Sequence, residues 1–132
     1  MSGKLLYERP GVNLVDWAWQ SRGGNLLAVS TPDHVRILDR SNRMVHEQSI
    51  KRAQIAWDSD GQILAMIGQK ALSLAVLYFA GKRQKTLEFE IKDVLTAMAW
   101  SPQSPILALG TQKGAGPNLS IFEFPKKLFK NF

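Results

Sequence analysis

A tryptophan recurs three times along this chain, each time in the same local context. Each copy lies eight or nine residues before an alanine in a short apolar run; the pairs are Trp19 and Ala28, Trp57 and Ala65, and Trp100 and Ala108. Successive tryptophans are 38 and 43 residues apart. A unit that recurs at such a period is one supersecondary motif, which cannot bury its apolar face without a neighbour. The period therefore constrains the fold more than any single residue does.

The first repeat illustrates the strand pattern that the other two follow. Val15, Trp17 and Trp19 alternate with Asp16 and Ala18, as expected of a β-strand. A polar, Gly-containing turn leads to an almost wholly apolar run over 25–30, which fits a strand that is covered on both faces. An alternating strand over 34–39 and a more polar one over 44–50 complete the unit. No stretch keeps apolar residues at helical spacing between caps, so we predict almost no helix.

Four strands per repeat, with the inner strands the most apolar, are typical of a β-propeller blade of about 40–45 residues. We predict an all-β fold of about three four-stranded blades, near 13–50, 52–91 and 94–132, in an incomplete ring. The Gly-rich stretch 111–117 is expected to be a flexible loop, and 126–132 an outer strand or a tail. Residues 4–8 have the character of a strand for a missing last blade. Because closed propellers use about four to eight blades, we expect a fragment, a truncated product or part of a ring that other chains complete.

The repeats resemble degenerate WD repeats. Each has a Trp, a turn and a [Leu/Ile]-Leu-Ala run, and the dipeptides Leu38-Asp39, Tyr78-Phe79 and Phe122-Glu123 stand where WD repeats carry Trp-Asp. The phrases ILDRSNR, AWDSDGQILAMI and MAWSPQSPILALGTQKG are most similar to the N-terminal propeller of the large WD-repeat subunit of intraflagellar transport complex A. The resemblance covers residues 13 to about 124.

This resemblance implies a non-catalytic protein-interaction scaffold acting in cilium assembly and retrograde ciliary transport. Its implied partners are other subunits of a large transport complex, and its implied location is the cilium or basal body. The chain departs from well-formed WD repeats because no blade has their Gly-His dipeptide, and His34 and His46 stand elsewhere. Asp39 alone keeps the acidic position of the buried His-Asp network, with Glu123 as a loose substitute. We therefore expect these blades to depend on apolar packing, since burying a Trp contributes more than a net hydrogen bond of ~1 kcal/mol.

Composition excludes several classes of protein. The chain has no cysteine, which rules out disulfides, thiolate metal sites and cysteine nucleophiles. No secretory signal is present, and the longest apolar run, 71–80, is far shorter than the roughly 20 residues of a membrane-spanning helix. We accordingly predict a cytoplasmic protein. The net charge of +6 leaves an alternative, a basic module that binds anionic membrane or nucleic acid through its Lys/Arg rim. Nucleic acid is the less favoured partner, because no aromatic-interleaved basic motif occurs.

The resemblance also implies where partners bind. In WD-type propellers the loops between blades share one face with the loops between second and third strands. Here that face would carry a mostly cationic set suited to acidic partner segments or anionic lipid: Lys51, Arg52, Lys70, Lys92, Asp93 and Lys113. The three repeated tryptophans and their alanines are predicted to be structural anchors of the core rather than a peptide or cation cage. Trp17 lies on the same face of its strand as Trp19 and is expected to line the central channel or to pack between blades.

No residue pattern predicts catalysis, a cofactor, a metal or a small-molecule substrate. A calcium loop starting at Asp58 would need Gly where Ile63 stands and Glu where Gln69 stands, so we interpret the segment as a hairpin turn. The stretch 110–116 lacks the Gly-Lys-Ser/Thr order of a phosphate loop and no helix follows it. His34 and His46 have no second ligand at metal spacing.

Overall fold

The computed structural model describes residues 3–6, 8, 11, 13–22, 24–68, 73–80, 83–90, 94–113 and 116–124. Within them the chain forms strands and no helix. The strands are β1 Asp16–Trp19, β2 Leu27–Ser30, β3 Val35–Leu38, β4 Met44–Gln48, β5 Gln54–Trp57, β6 Ile63–Ile67, β7 Ser73–Ala80, β8 Arg83–Glu90, β9 Val94–Trp100, β10 Ile106–Lys113 and β11 Gly116–Glu123.

Consecutive strands pair antiparallel into three sheets, which are the blades. Blade 1 is β1–β4, blade 2 is β5–β8, and blade 3 is β9–β11. The predicted all-β fold of three blades in an incomplete ring is confirmed. In the described part of the chain blade 3 has three strands, and the outer strand or tail predicted over 126–132 lies outside that part.

The core lies between the blades rather than inside any one of them. All five residues of β6 are buried, because blade 1 covers one side of blade 2 and blade 3 covers the other. In β2 only alternate residues, Ala28 and Ser30, are buried, and these point toward blade 2. The first strands β1, β5 and β9 contact one another in order, so they form the inner side of the arc.

The expectation of a flexible Gly-rich loop over 111–117 is wrong for the described residues of that stretch, 111–113 and 116–117. Thr111, Gln112 and Lys113 continue β10 and pair with residues 116–118 of β11, so both strands are longer than expected. Antiparallel pairing satisfies the backbone amides and carbonyls that an open loop would leave to solvent. Pairing with β9 shifts register between Gly110 and Thr111, where a Cβ on Gly110 would lie 3.0 Å from Thr96 Oγ1.

The described residues of the N-terminal segment form no strand. Residues 3–6 have no assigned secondary structure, and Leu5 and Leu6 are exposed. The strand predicted over 4–8 stays a prediction, because part of that segment lies outside the described residues.

Candidate protein-interaction surfaces

Two tryptophan side chains join neighbouring blades. Trp57 of β5 donates from its indole Nε1 to the carbonyl oxygen of Ala18 in β1, at 3.0 Å. Trp100 of β9 donates in the same way to the carbonyl oxygen of Ala56 in β5, at 2.9 Å. In both cases the acceptor is the residue directly before the tryptophan of the preceding blade. The join between blades therefore repeats with the period of the sequence.

Small residues line the side of each blade that receives the next indole. An alanine of the first strand lies directly across from the predicted anchor alanine of the second strand, in the pairs Ala18–Ala28, Ala56–Ala65 and Ala99–Ala108. Because a methyl group is the largest side chain at either place, the incoming ring can reach the backbone carbonyl. Ala28 and Ala65 are fully buried, whereas Ala108 is half-buried.

The three equivalent tryptophans differ in burial. Trp57 is 6% exposed and its ring centroid lies 5.8 Å from that of Phe79. Trp100 is half-buried against Phe124, at 5.7 Å. Trp19 is 59% exposed, contrary to the expectation of a core anchor, because no described blade lies against its side of β1. Trp17, expected to line the channel or pack between blades, has the same exposure.

Strand register makes the faces of the blades directly comparable. We call the side of a blade that carries its repeated tryptophan the backward face, and the side that carries the paired alanines the forward face. The forward face of blade 1 is buried against the backward face of blade 2, and the forward face of blade 2 against the backward face of blade 3. The two terminal faces are exposed: Trp17 and Trp19 lie on the backward face of blade 1, and Leu119 and Ile121 lie on the forward face of blade 3.

Polar contacts reinforce the join of blades 1 and 2 at both ends of the first strands. Asp16 Oδ2 accepts a hydrogen bond from the amide of Ile55, at 3.0 Å. At the other end, Gln20 Nε2 donates to the carbonyl oxygen of Gly61, at 2.7 Å. Gly61 has a φ of +71°, and a Cβ there would overlap the carbonyl oxygen of Ser21. The contacts of Asp16 and Gln20 were not predicted, because their partners are about 40 residues distant in the chain.

One cavity opens where the first strands of the three blades begin. Its volume is about 610 Å³. It is lined by Val15, Asp16, Arg52, Gln54, Ile67, Gly68 and Leu95. Arg52, a residue of the predicted partner-binding face, is exposed at this rim with a φ of +49°. Asp16 accepts hydrogen bonds from the amides of Trp17 and Ile55 and keeps its negative charge, so the cavity lining carries one anion, Asp16, and one cation, Arg52.

The structure describes only part of the predicted partner-binding face. Lys51 is exposed beside Arg52 in the turn between blades 1 and 2. Lys113 is the last residue of β10. Lys70, Lys92 and Asp93 lie outside the described residues.

In the turn between β5 and β6 of blade 2, the carboxylate of Asp58 accepts hydrogen bonds from backbone amides. Asp58 is buried, and its Oδ1 accepts hydrogen bonds from the amides of Gln62 and Ile63, at 2.8 and 3.0 Å. The amide of Gly61 also donates to the carbonyl oxygen of Asp58, at 3.1 Å. These bonds close a tight hairpin between β5 and β6.

Two side-chain contacts of ionisable groups lie on the outer strands of the described residues. No group of three or more His, Asp or Glu residues that could hold a metal occurs among them. His46 Nδ1 lies 2.9 Å from Gln84 Oε1, which links the outer strands of blades 1 and 2. Arg36 donates from Nε to Glu47 Oε2 at 2.7 Å, and this hydrogen bond lowers the pKa of Glu47 below its ordinary value.

Consecutive antiparallel sheets of four, four and three described strands stack face to face with their first strands innermost, and this arrangement defines an arc of a WD-type β-propeller. The β-propeller domain of Cps50 (Swd1) from Myceliophteria thermophila matches with a TM-score of 0.61 and 14% identity, over 82% of this chain and 43% of that one. The WD40 domain of Toxoplasma gondii coronin matches with a TM-score of 0.50 and 13% identity, over 88% of this chain and 47% of that one. At such identities the likeness establishes the fold alone.

Residues 15–127 match the family model described as the WDR19 first beta-propeller, and the chain belongs to this family. WD repeat-containing protein 19 of Homo sapiens is 32% identical over 111 residues, and that of Mus musculus is 33% identical over 111 residues. The aligned region covers 82% of this chain and 8% of either relative, so the chain spans a small part of their length. The resemblance stated from the sequence is confirmed, and it supports a propeller scaffold. No helix among the described residues is long and apolar enough to cross a bilayer.

Proposed function

We propose that this chain is a non-catalytic interaction scaffold of intraflagellar transport complex A, acting in cilium assembly and retrograde ciliary transport. The match of residues 15–127 to the WDR19 first-propeller family is the observation that carries the proposal. Its partners are other subunits of the complex, and its location is the cilium or basal body. Among the described residues, Glu47 is paired with Arg36 and Asp58 is bound to the amides of its own turn. These structural roles of carboxylates are consistent with a scaffold.

The rim around Lys51 and Arg52 is the proposed partner-binding face. Both side chains are exposed, and Arg52 lines the cavity of about 610 Å³ where three blades meet. The two exposed cations of this turn, Lys51 and Arg52, attract acidic segments of a partner, and the attraction acts on association rate and specificity. The remaining predicted members, Lys70, Lys92, Asp93 and Lys113, stay part of this proposal. Anionic lipid is the alternative ligand for the same rim.

The test measures binding of the chain to purified subunits of intraflagellar transport complex A. We expect the double variant Lys51→Glu/Arg52→Glu to weaken binding by about tenfold, because two attractive charges become repulsive. Arg40→Glu is the matched control, since Arg40 is also exposed but lies in the β3–β4 turn at the opposite end of the blade. Equal effects of the two changes, or unchanged binding by the double variant, would contradict the proposed face.

Two further measurements separate the proposal from its alternative. A tagged chain should concentrate at the cilium or basal body, and an even cytoplasmic distribution would count against the ciliary assignment. Binding to vesicles of phosphatidylserine, or to DNA, that falls steeply with salt would favour the basic-module alternative, because counterion release dominates such contacts. Subunit binding that persists at raised salt would favour the scaffold.

A further inference from the structure

A serine precedes the turn that carries the proposed partner-binding residues Lys51 and Arg52. Ser49 lies between β4 and this turn, in a position with no assigned secondary structure. Of the Ser and Thr side chains that the structure describes, three are exposed: Ser41, Ser49 and Thr96. The segment joins two described blades, so its exposure does not depend on what adjoins the ends of the arc.

The hydroxyl of Ser49 has no structural role among the described residues. It makes no hydrogen bond to any of them. Other hydroxyls are in use, since Ser101 Oγ accepts from the amide of Gln103 and Ser120 Oγ accepts from Asn118 Nδ2. The Ser49 oxygen is therefore available to react.

The backbone distinguishes Ser49 from the other two exposed hydroxyl residues. Thr96 lies within the paired strand β9. Ser41 lies in a tight turn, where its amide donates to Asp39 Oδ1 at 2.9 Å. An enzyme that modifies a side chain draws the surrounding backbone into its own cleft, and a paired strand or a hydrogen-bonded turn resists this. Ser49 is thus the most accessible acceptor of the three.

The two cations beside Ser49 are without an ionic partner. Lys51 and Arg52 are exposed, and neither forms an ion pair with a described residue. The acidic residue of the adjacent strand, Glu47, is paired with Arg36 at 2.7 Å. Asp16, which lines the cavity with Arg52, accepts hydrogen bonds from backbone amides. An anion placed on Ser49 would find both cations available.

The covalent distance between these residues is short enough for contact. A chain extends at most about 3.6 Å per residue, so the Cα atoms of Ser49 and Arg52 lie within about 11 Å of each other. Long Lys and Arg side chains cover such a distance, and a guanidinium group binds a phosphate through two parallel hydrogen bonds. A phosphate on Ser49 can therefore pair with both cations.

We propose that Ser49 is a phosphorylation site that weakens partner binding at this turn. A protein kinase transfers the γ-phosphoryl group of ATP to Ser49 Oγ. The Oγ–P bond forms, the bond from the γ-phosphorus to the β,γ-bridging oxygen breaks, ADP leaves, and the hydroxyl proton passes to a carboxylate of the kinase. The phosphate adds a charge of about −1.5 to −2, which cancels the +2 of Lys51 and Arg52. The regulatory effect rests on the proposed function of this turn, because it removes the attraction for acidic segments of a partner.

The first measurement is the rate of phosphate transfer at each serine. Cations two and three positions after Ser49 fit a kinase whose cleft is acidic. The chain is incubated with ATP and the catalytic domain of protein kinase C, and mass spectrometry locates the phosphate. Ser41 is the matched control, since it is also exposed and has Arg40 and Arg43 nearby. We expect transfer to Ser49 to be at least about tenfold faster, because only Ser41 is held by its turn. No transfer to Ser49, or equal rates, would overturn the proposal.

The second measurement tests contact between the phosphate and the cations without any partner. Phosphoserine is genetically encoded at position 49, and phosphorus NMR follows its titration. We expect its second pKa to lie below the ordinary value of about 6, because nearby cations favour the dianion. In the double variant Lys51→Gln/Arg52→Gln the pKa should return toward that value. The same pKa in both chains would contradict the pairing.

The third measurement compares binding of the unmodified and phosphorylated chains to purified subunits of intraflagellar transport complex A. Phosphorylation of Ser49 takes the charge of the turn from +2 to about zero, half the change of Lys51→Glu/Arg52→Glu, so we expect binding to weaken by about threefold rather than tenfold. Phosphoserine at position 41 should leave binding unchanged, because that turn is at the opposite end of the blade.

The outcomes separate this inference from the proposed function. If the unmodified chain binds and phosphorylation of Ser49 has no effect, or the same effect as that of Ser41, the inference fails and the proposed function stands. If the unmodified chain binds no subunit, the proposed function fails and the regulatory effect fails with it. The rate and titration measurements then decide whether Ser49 is a phosphate site beside Lys51 and Arg52.

Discussion

Replacing Trp57 by phenylalanine tests whether the indole joins carry the stability of the arc. Phenylalanine keeps an aromatic ring against Phe79 but cannot donate to the Ala18 carbonyl oxygen, now 3.0 Å from the indole nitrogen. The lost hydrogen bond contributes about 1 kcal/mol, and the smaller ring leaves a gap in a site that is 6% exposed. The gap destabilises the fold by an amount similar to that of the lost hydrogen bond. We therefore expect the free energy of unfolding to fall by about 2–3 kcal/mol.

The chain provides its own control at the equivalent position. Trp19→Phe removes an indole that is 59% exposed and joins no described blade, so we expect a change below about 0.5 kcal/mol. Unfolding in urea is followed by circular dichroism, because each change also removes a fluorophore. The protein is kept dilute enough for sedimentation to give a monomer, so association does not contribute. Equal losses in the two variants would refute the argument, since the sequence motif and not the blade contact would then determine stability.

Three other changes probe the turns and the outer strands, each measured as a urea midpoint. Gly61→Ala should lose more stability than Gly24→Ala, because both have positive φ but only the first adds a clash with blade 1; equal losses would contradict this. Asp58→Ala should lose about 2–3 kcal/mol by leaving two backbone amides unpaired, and Asp58→Asn, which keeps one acceptor oxygen, should lose less. Glu47 has a lowered pKa because Arg36 donates to it, so its stabilising effect is complete above the ordinary value of 4.5 and is lost as pH falls through the lowered pKa. Glu47→Gln should remove that part of the pH dependence, and an unchanged acid profile would argue against the ion pair.

Much of the strand plan could be read from local patterns. Alternation around Trp19 and Trp57 and the Gly-containing turns are short-range features, and consecutive strands of a blade pair with one another. The third strand of blade 1 was predicted over 34–39, and it runs Val35–Leu38. The loop prediction for 111–117 failed because it relied on composition. The glycines and Pro117 indicate a loop, whereas backbone pairing with β11 extends the strand.

The candidate site was harder to predict than the strands, because it depends on contacts between residues that are distant in the sequence. Lys51 and Arg52 were placed between blades 1 and 2 because that turn is visible in the sequence. The cavity beside Arg52 exists only where three first strands meet. Asp16 was passed over because its partner, the amide of Ile55, is 39 residues away. A single carboxylate in a strand has no local pattern that would identify such a bond.

The sequence by itself determined the period, the strand order, the place of tryptophan and alanine in each blade, and the family. These follow from spacing and alternation, which act over a few residues at a time. Only the tertiary structure decided that Trp57 is a buried donor while the equivalent Trp19 is exposed. The physical reason is that a blade buries its apolar faces against other blades, so the environment of a repeated residue depends on which neighbour lies beside it.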